Sequence, residues 1–330
     1  PHIMCSVPRL LEKTLDKILD AEKRLKGFSK WVFRKSVELA ERYEYDGSNG
    51  WFYEFKRSIA DKLVYSKWRE ALGGNMKTVV SGGAAISDRL SRIFICAGIK
   101  LHPGYGLTET SPVIAVTTNR AGEYGIGATG GIMAQVEVKI DTDGEILTKG
   151  PSLMKGYYKS QELTDEVIDA DGWFHTGDLG RIEGGTLLRI IGRKKAFFKN
   201  SFGKYVNPLL VENFLRDSSF IDNAMVVGEG EKYTAALIVP NFTMLTQWCK
   251  ENNVSYTSTS DIIKSEQVIS MFKSEVNNIN KQLSSTEKVS NFTLLEKEWT
   301  VDSGELSAAL KVKRFVVAEK YKNEIAEMFK

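Results

Sequence analysis

A chain of 330 residues is long enough for two domains, and its 42% apolar and 26% charged residues are ordinary for a folded globular protein. Forty-five basic against 42 acidic residues leave a net charge of only +3, which gives no basic footprint for nucleic acid. Cys5, Cys96 and Cys249 lie far apart without metal-ligand spacing, so a reduced, cytoplasmic setting is expected.

Residues 8 to about 74 read as helices. Leu10, Leu11, Leu15, Ile18 and Leu19 recur at helical spacing, and aromatics follow a similar stripe through residues 51–72. Residues 76–80 form a short apolar run that ends in Ser81-Gly82-Gly83-Ala84, a strand followed by a turn. Residues 88–98 return to helix, and residues 99–105 read as the next strand. This alternation predicts an α/β fold with a mostly parallel sheet flanked by helices, in which ligands sit beyond the carboxyl ends of the strands. From 125 to about 190 the texture changes to short strands. Val136, Val138 and Ile140 alternate with polar residues, and Asp141-Thr142-Asp143-Gly144 supplies hairpin chemistry, so a small β-rich subdomain is expected there. A smaller α+β domain should follow, with strands near 224–227 and 235–239 and helices near 208–217, 265–283 and 318–329. The boundary falls where Gly192-Arg193-Lys194-Lys195 interrupts two apolar runs, giving domains of 1–192 and 193–330.

The chain's most informative stretch is Gly104-Tyr105-Gly106-Leu107-Thr108-Glu109-Thr110. Gly104 and Gly106 let backbone approach a ligand closely. Tyr105 offers a flat face for a purine, Thr108 a hydroxyl for a phosphate or acyl oxygen, and Glu109 a carboxylate for Mg²⁺. An ordinary turn would use the same residue types. Gly125-Ile126-Gly127-Ala128-Thr129-Gly130 fits the dinucleotide fingerprint letter for letter. That pattern has meaning only between a strand and a helix, and here an alternating strand follows.

The stretch at 104–110 closely resembles the core motif of the adenylate-forming (AMP-binding) enzymes, which include acyl-CoA synthetases, luciferases and peptide-synthetase adenylation domains. Three further blocks resemble that family in its own order. They are Gly144-Glu145-Ile146 with Gly150-Pro151 and Gly156-Tyr157-Tyr158, then Trp173-Phe174-His175-Thr176-Gly177-Asp178, then Gly192-Arg193-Lys194-Lys195. Residues 4–12, the hinge and the tail at 311–320 resemble the long-chain acyl-CoA synthetase branch. The resemblance implies that Gly82, Gly83 and Ala84 border adenine and acyl group, that Tyr105 stacks on adenine, and that Asp178 holds the ribose. Arg193 is implied at ribose or phosphate oxygens, Gly203 beside the pantetheine arm, and Lys195 as the hinge between two active conformations. In the same way Lys311, in Leu306-Ser307-Ala308-Ala309-Leu310-Lys311, is implied as the catalytic lysine, although the family usually has Thr-Pro-Thr where Ser307-Ala308-Ala309 stands and Lys313 lies close by.

The implied activity is that of a long-chain-fatty-acid–CoA ligase with ATP, Mg²⁺ and coenzyme A. The expected partners are small molecules: fatty acid, ATP and coenzyme A. Peripheral contact with a membrane and a homodimer are both compatible with the sequence. The chain opens Pro1-His2-Ile3-Met4, and the family's Ser/Thr/Gly-rich phosphate loop is absent from every position. The expectation is therefore the C-terminal part of the large domain plus the small C-terminal domain, a fragment inactive alone. A non-catalytic nucleotide-binding or interaction module, or an adenylation enzyme that loads a carrier protein, stands as the alternative.

Overall fold

The computed structural model describes residues 1–330 apart from Asn119, Ala121, Ala309 and the side chain of Asp46. The chain divides into two compact units, Pro1–Ile191 and Gly192–Lys330.

The first unit opens with β1 (Ile3–Ser6), α1 (Pro8–Asp20), α2 (Gly27–Ala40), α3 (Trp51–Ala60), α4 (Ser66–Ala71), β2 (Thr78–Ser81), α5 (Asp88–Cys96) and β3 (Lys100–Gly106). Leu11, Leu15 and Ile18 bury one face of α1, and Pro8 begins the helix where its missing N–H costs nothing. The Ser87 hydroxyl caps α5 by accepting from the Leu90 N–H at 3.2 Å. These helices cover Val79 and Leu101 of the sheet and form the main core of the unit. β1 pairs with β2 and β2 with β3, both in parallel, as helical crossovers require.

β4 (Val113–Val116), β5 (Gly130–Ile132), β6 (Glu137–Ile140), β7 (Glu145–Lys149), α6 (Gln161–Asp165), β8 (Phe174–Glu183) and β9 (Leu187–Arg193) follow. Among the described residues, nine strands make one sheet in the order β1-β2-β3-β4-β5-β9-β8-β7-β6. The α/β class expected from the sequence holds, with a particular division of labour. The helix-covered end is parallel, and the β-rich stretch continues the same sheet in antiparallel pairings.

In the second unit β10 (Phe198–Lys199) and β11 (Tyr205–Val206) form a two-stranded hairpin. α7 (Pro208–Arg216), β12 (Ile221–Val227), β13 (Thr234–Pro240), α8 (Phe242–Glu251), α9 (Thr259–Lys264), α10 (Glu266–Asn280), β14 (Val289–Leu294), α11 (Arg314–Lys320) and α12 (Lys322–Met328) complete it. β13 is buried at every position. Its Ala236 and Ile238 face one core and its Ala235, Leu237 and Val239 the other, because successive side chains leave a strand on opposite sides. The expected helix at 265–283 is α10, with the short α9 just before it, whereas the 318–329 segment breaks at Tyr321, whose φ of −112° and ψ of 27° leave the helical region. No helix among the described residues is long and apolar enough to cross a membrane.

Candidate active site

The carboxyl ends of β1, β2 and β3 lie side by side, with Ser6 opposite Ser81 and Ser81 opposite Pro103. The two glycine motifs meet at this edge. A Cβ on Gly82 would lie 3.6 Å from the carbonyl oxygen of Gly104, so Gly82 is in contact with the strand that carries Tyr105. Ligands of open α/β sheets collect at such strand ends.

Beyond Gly104 the backbone turns sharply. Tyr105 pairs with Ala115 and Gly106 with Val113, with a register shift between them. A Cβ on Gly106 would stand 1.7 Å from the Pro112 carbonyl oxygen, so no other residue fits. The Thr110 hydroxyl donates to Pro112 O at 2.7 Å and accepts from the Leu107 N–H at 3.0 Å, which fixes the short turn between. Thr108 is exposed at its start. Glu109 is half-buried, and its Oε1 accepts from the Tyr157 hydroxyl at 2.9 Å, while its own carbonyl accepts from the Met154 N–H at 2.7 Å. Tyr157 therefore orients Glu109. The sequence placed Tyr157 in a family block and gave it no role. Its signal was an aromatic hydroxyl directly after a glycine.

Asp178 reaches the same place from a distant strand. The Tyr105 hydroxyl donates to Asp178 Oδ2 at 2.8 Å across 73 residues of sequence, and the Asp178 carboxylate is buried. The strand that brings Asp178 there is anchored by Glu145, a buried residue that pairs opposite Leu179. Glu145 Oε1 accepts from the Gly177 N–H at 2.8 Å, and Oε2 lies 3.4 Å from His175 Nδ1. The Thr176 hydroxyl donates to Ile146 O at 2.7 Å and accepts from the Asp178 N–H at 3.1 Å. His175 also lies 3.9 Å from Asp169, whose carboxyl is held below its usual range by backbone N–H groups of Trp173 and Asp171. His175 is thus a strut between two carboxylates. Glu145, like Tyr157, stood in a family block without a role, although a carboxylate directly after a tight turn and before an apolar run was there to be read. His102, on β3, is pushed by burial below the usual imidazole value.

The structure thus brings together Gly82, Gly104, Tyr105, Gly106 and Asp178, with Glu109 one turn beyond. Gly83 and Ala84 continue from Gly82. Among the described residues the dinucleotide-like loop leads into the strand β5 rather than a helix, Arg189 donates to Ile126 O at 3.2 Å, and a Cβ on Gly127 would meet the Arg189 and Asp88 side chains, so the strand–loop–helix setting of that fingerprint is missing.

The donor set suits the groups expected. A buried carboxylate held in place by a phenol can accept from both hydroxyls of a ribose. No cluster of three or more His, Cys, Asp or Glu side chains that could hold a metal occurs among the described residues. Glu109 stands as a lone carboxylate, and a lone carboxylate suits only an ion that completes its shell with other oxygen donors such as phosphates and water.

In the second unit, Arg193 ends β9 and Lys195 lies in a short exposed turn, Lys194–Ala196. Gly203 closes the β10–β11 hairpin at φ +72°, and nothing lies within 4 Å of where its Cβ would be. Lys311 is exposed on a loop whose ends meet in a bridge between Leu306 and Val312. The Ser307 hydroxyl accepts from the Lys311 N–H at 3.1 Å, and the Lys311 carbonyl accepts from the Ser307 N–H at 2.8 Å. Ser307, where the family has threonine, therefore keeps a hydroxyl that closes the loop. Ala309 lies outside the described residues. Lys313 stands at the base of the loop, its N–H donating to Glu305 O at 2.7 Å. Arg314 follows and anchors the loop, pairing with the buried Glu212 carboxylate and donating to Val226 O at 2.5 Å.

A family model described as AMP-binding enzyme matches residues 1–158, and one described as AMP-binding enzyme C-terminal domain matches residues 199–330. The chain belongs to the AMP-binding enzymes. A long-chain-fatty-acid–CoA ligase of Mycobacterium bovis is 34% identical over 334 residues, covering all of this chain and 55% of that protein. Long chain acyl-CoA synthetase 8 of Arabidopsis thaliana is 31% identical over 353 residues, covering all of this chain and 48% of its own length. The chain thus spans about half the length of the curated relatives it matches. Among solved structures, the adenylation domain of a carboxylate reductase from Mycobacterium chelonae superposes with a TM-score of 0.72 at 20% identity, over all of this chain and 46% of that one. The A domain of a carboxylic acid reductase from Segniliparus rugosus, in complex with AMP and a co-purified carboxylic acid, gives 0.72 at 22%, over all of this chain and 47% of that one. At that identity these two show the fold of this AMP-binding enzyme and nothing finer.

Proposed function

We propose that this chain supplies the adenosine-holding strands and the C-terminal domain of a long-chain-fatty-acid–CoA ligase. The observation that carries the reading is the 2.8 Å hydrogen bond from Tyr105 to Asp178, formed where Gly82 packs on Gly104. Support comes from relatives more than 30% identical that are named as long-chain ligases.

In the reaction a fatty carboxylate oxygen attacks the α-phosphorus of ATP, and pyrophosphate leaves with the electrons of the broken P–O bond. The coenzyme A thiolate then attacks the acyl carbon, and AMP leaves. Asp178 accepts from the ribose hydroxyls, the Tyr105 ring lies on the adenine, and Gly82, Gly83 and Ala84 leave room for the base. Thr108 donates to a phosphate or acyl oxygen. Glu109 would hold Mg²⁺, which when bound offsets phosphate charge. The Lys311 ammonium offsets charge that develops on the reacting carboxylate and α-phosphate, an effect worth about 10²–10³ in rate for comparable groups. Arg193 donates to ribose or phosphate oxygens, Gly203 leaves the pantetheine arm unobstructed, and Lys195 is the hinge residue. Since no phosphate loop occurs in its 330 residues, the chain alone should bind AMP weakly and give little pyrophosphate exchange.

Titration calorimetry with AMP tests the assignment. Loss of a charged acceptor costs about 1.5–3 kcal/mol per hydrogen bond, so Asp178→Ala should weaken binding about tenfold or more. Lys311→Ala should leave AMP affinity unchanged. Equal affinity for wild type and Asp178→Ala would remove the nucleotide site from this edge of the sheet.

A further inference from the structure

Three residues of β8, Thr176, Gly177 and Asp178, stand opposite the single residue Ile146 of β7, because Glu145 pairs with Leu179 while Leu147 pairs with His175. Asp178 therefore lies in a bulge, where the ladder between the two strands is interrupted. Bulges re-aim side chains, and buried backbone groups that they release from the ladder need other partners. Here side chains supply them. The Ile146 carbonyl accepts from the Thr176 hydroxyl at 2.7 Å, and that hydroxyl accepts from the Asp178 N–H at 3.1 Å. The Gly177 N–H donates to Glu145 Oε1 at 2.8 Å. Oε2 of Glu145 is backed by His175 Nδ1 at 3.4 Å, from just before the bulge. Both peptides that flank Gly177 are thus held by a side chain, and between them the glycine keeps a left-handed φ of +70°. Glu145 and Thr176 are 5% and 3% exposed, so water substitutes poorly for either.

We propose that Glu145 is the positioning residue that makes this site selective for a ribose. The inference rests on the role proposed above for Asp178 and lies one step behind it. Asp178 can accept from two ribose hydroxyls only while its carboxylate is turned toward the Tyr105 hydroxyl, and the dihedrals of Gly177 set that direction. Without the Glu145 carboxylate the Gly177 N–H loses its acceptor. A glycine has no Cβ to restrict it, so the bulge can then take up other conformations. Asp178 would swing away from Tyr105, and the ribose hydroxyls would lose their partner. Contacts to the base and the phosphate come from other residues and would remain.

Calorimetric titration of the 330-residue chain with AMP and with 2′,3′-dideoxyadenosine 5′-monophosphate is the test, because the two ligands differ only in the ribose hydroxyls. Wild type should bind AMP about tenfold or more tightly than the analogue, the effect of a hydrogen bond to a charged acceptor. Glu145→Met fills the same space without an acceptor. It should bring the ratio to about one by weakening AMP alone, as expected of a residue that acts through Asp178. Glu145→Asp keeps the charge but shortens the reach, should lower the ratio too, and replaces Glu145→Met if circular dichroism shows that variant unfolded. Glu145→Gln keeps an oxygen that can accept from Gly177 and should restore most of the preference. An unchanged ratio in folded Glu145→Met or Glu145→Asp overturns the inference and leaves the nucleotide assignment standing. Equal weakening of both ligands overturns it as well, since that is the mark of a merely structural residue. A wild type that binds the two ligands equally, or neither, removes the ribose role of Asp178 and this inference with it.

Discussion

The bond between Tyr105 and Asp178 is the joint on which the candidate site depends, and its strength can be measured. Tyr105→Phe removes one hydroxyl and keeps the ring. The bond is short, its acceptor is a carboxylate, and Asp178 is only 8% exposed, so water replaces the lost donor poorly. Hydrogen bonds to charged groups contribute about 1.5–3 kcal/mol, and a buried acceptor left short of a donor lies in the same range. For a unit of this size, about 2 kcal/mol corresponds to roughly 4–8 °C in melting temperature. The assay is a double-mutant cycle of Tyr105→Phe and Asp178→Asn, read by urea denaturation of the isolated chain. Residues in direct contact should couple by about 0.5–3 kcal/mol, with the double variant less destabilised than the sum of the single ones. Additive effects, within about 0.5 kcal/mol, would mean that the two side chains do not share a bond in solution, and the convergence of the two motifs would be lost with it.

Gly106→Ala should be more damaging than its single carbon suggests, because the new Cβ would overlap the Pro112 carbonyl and force the 107–112 turn away from β4. A loss of about 1–3 kcal/mol in urea, or more, is expected together with loss of AMP binding, and unchanged stability would contradict the local geometry. The second unit should have an acid limit and a basic one. Burial opposes the charge on Glu305, yet hydrogen bonds from Lys320 and Ser303 outweigh it and hold the carboxyl below 4.5, and the Glu305 partnership raises Lys320 above 10.5. A depressed carboxyl stabilises the fold above pH 4.5 and ceases to as pH falls through its folded value. A raised lysine stabilises it below pH 10.5 and ceases to as pH rises through its own. Glu305→Gln should flatten both limbs of the stability–pH curve, which thermal unfolding across pH 3–11 would reveal.

Much of this protein is legible without coordinates, because local chemistry decides it. Buried positions four residues apart, as at Leu11 and Leu15, can serve only a helix, and alternation at Val136, Val138 and Ile140 serves a strand. The apolar run at 235–239 marked a strand. That it is the middle of a layered unit followed only from its two faces meeting two different cores. The motif at 104–110 stood out in the sequence as a candidate ligand site, while the packing need behind Gly106, the close Pro112 carbonyl, was not legible there. Breaks such as the one at Tyr321 were not legible, since a single residue outside helical dihedrals leaves the hydrophobic period on either side intact.

The tertiary structure decided which distant side chains touch. The resemblance implied that Tyr105 and Asp178 serve one nucleotide, but nothing in the order of residues says that they bond to each other, that Tyr157 steadies Glu109, or that Glu145 holds the strand at Gly177. Each of these contacts depends on strand register, and register is set by the packing of a whole sheet face rather than by neighbours in sequence. The outward turn of Trp51 and Phe55 belongs with them. Helical spacing establishes that a stripe exists, but which of two apolar faces the core takes depends on what else the chain offers to cover it.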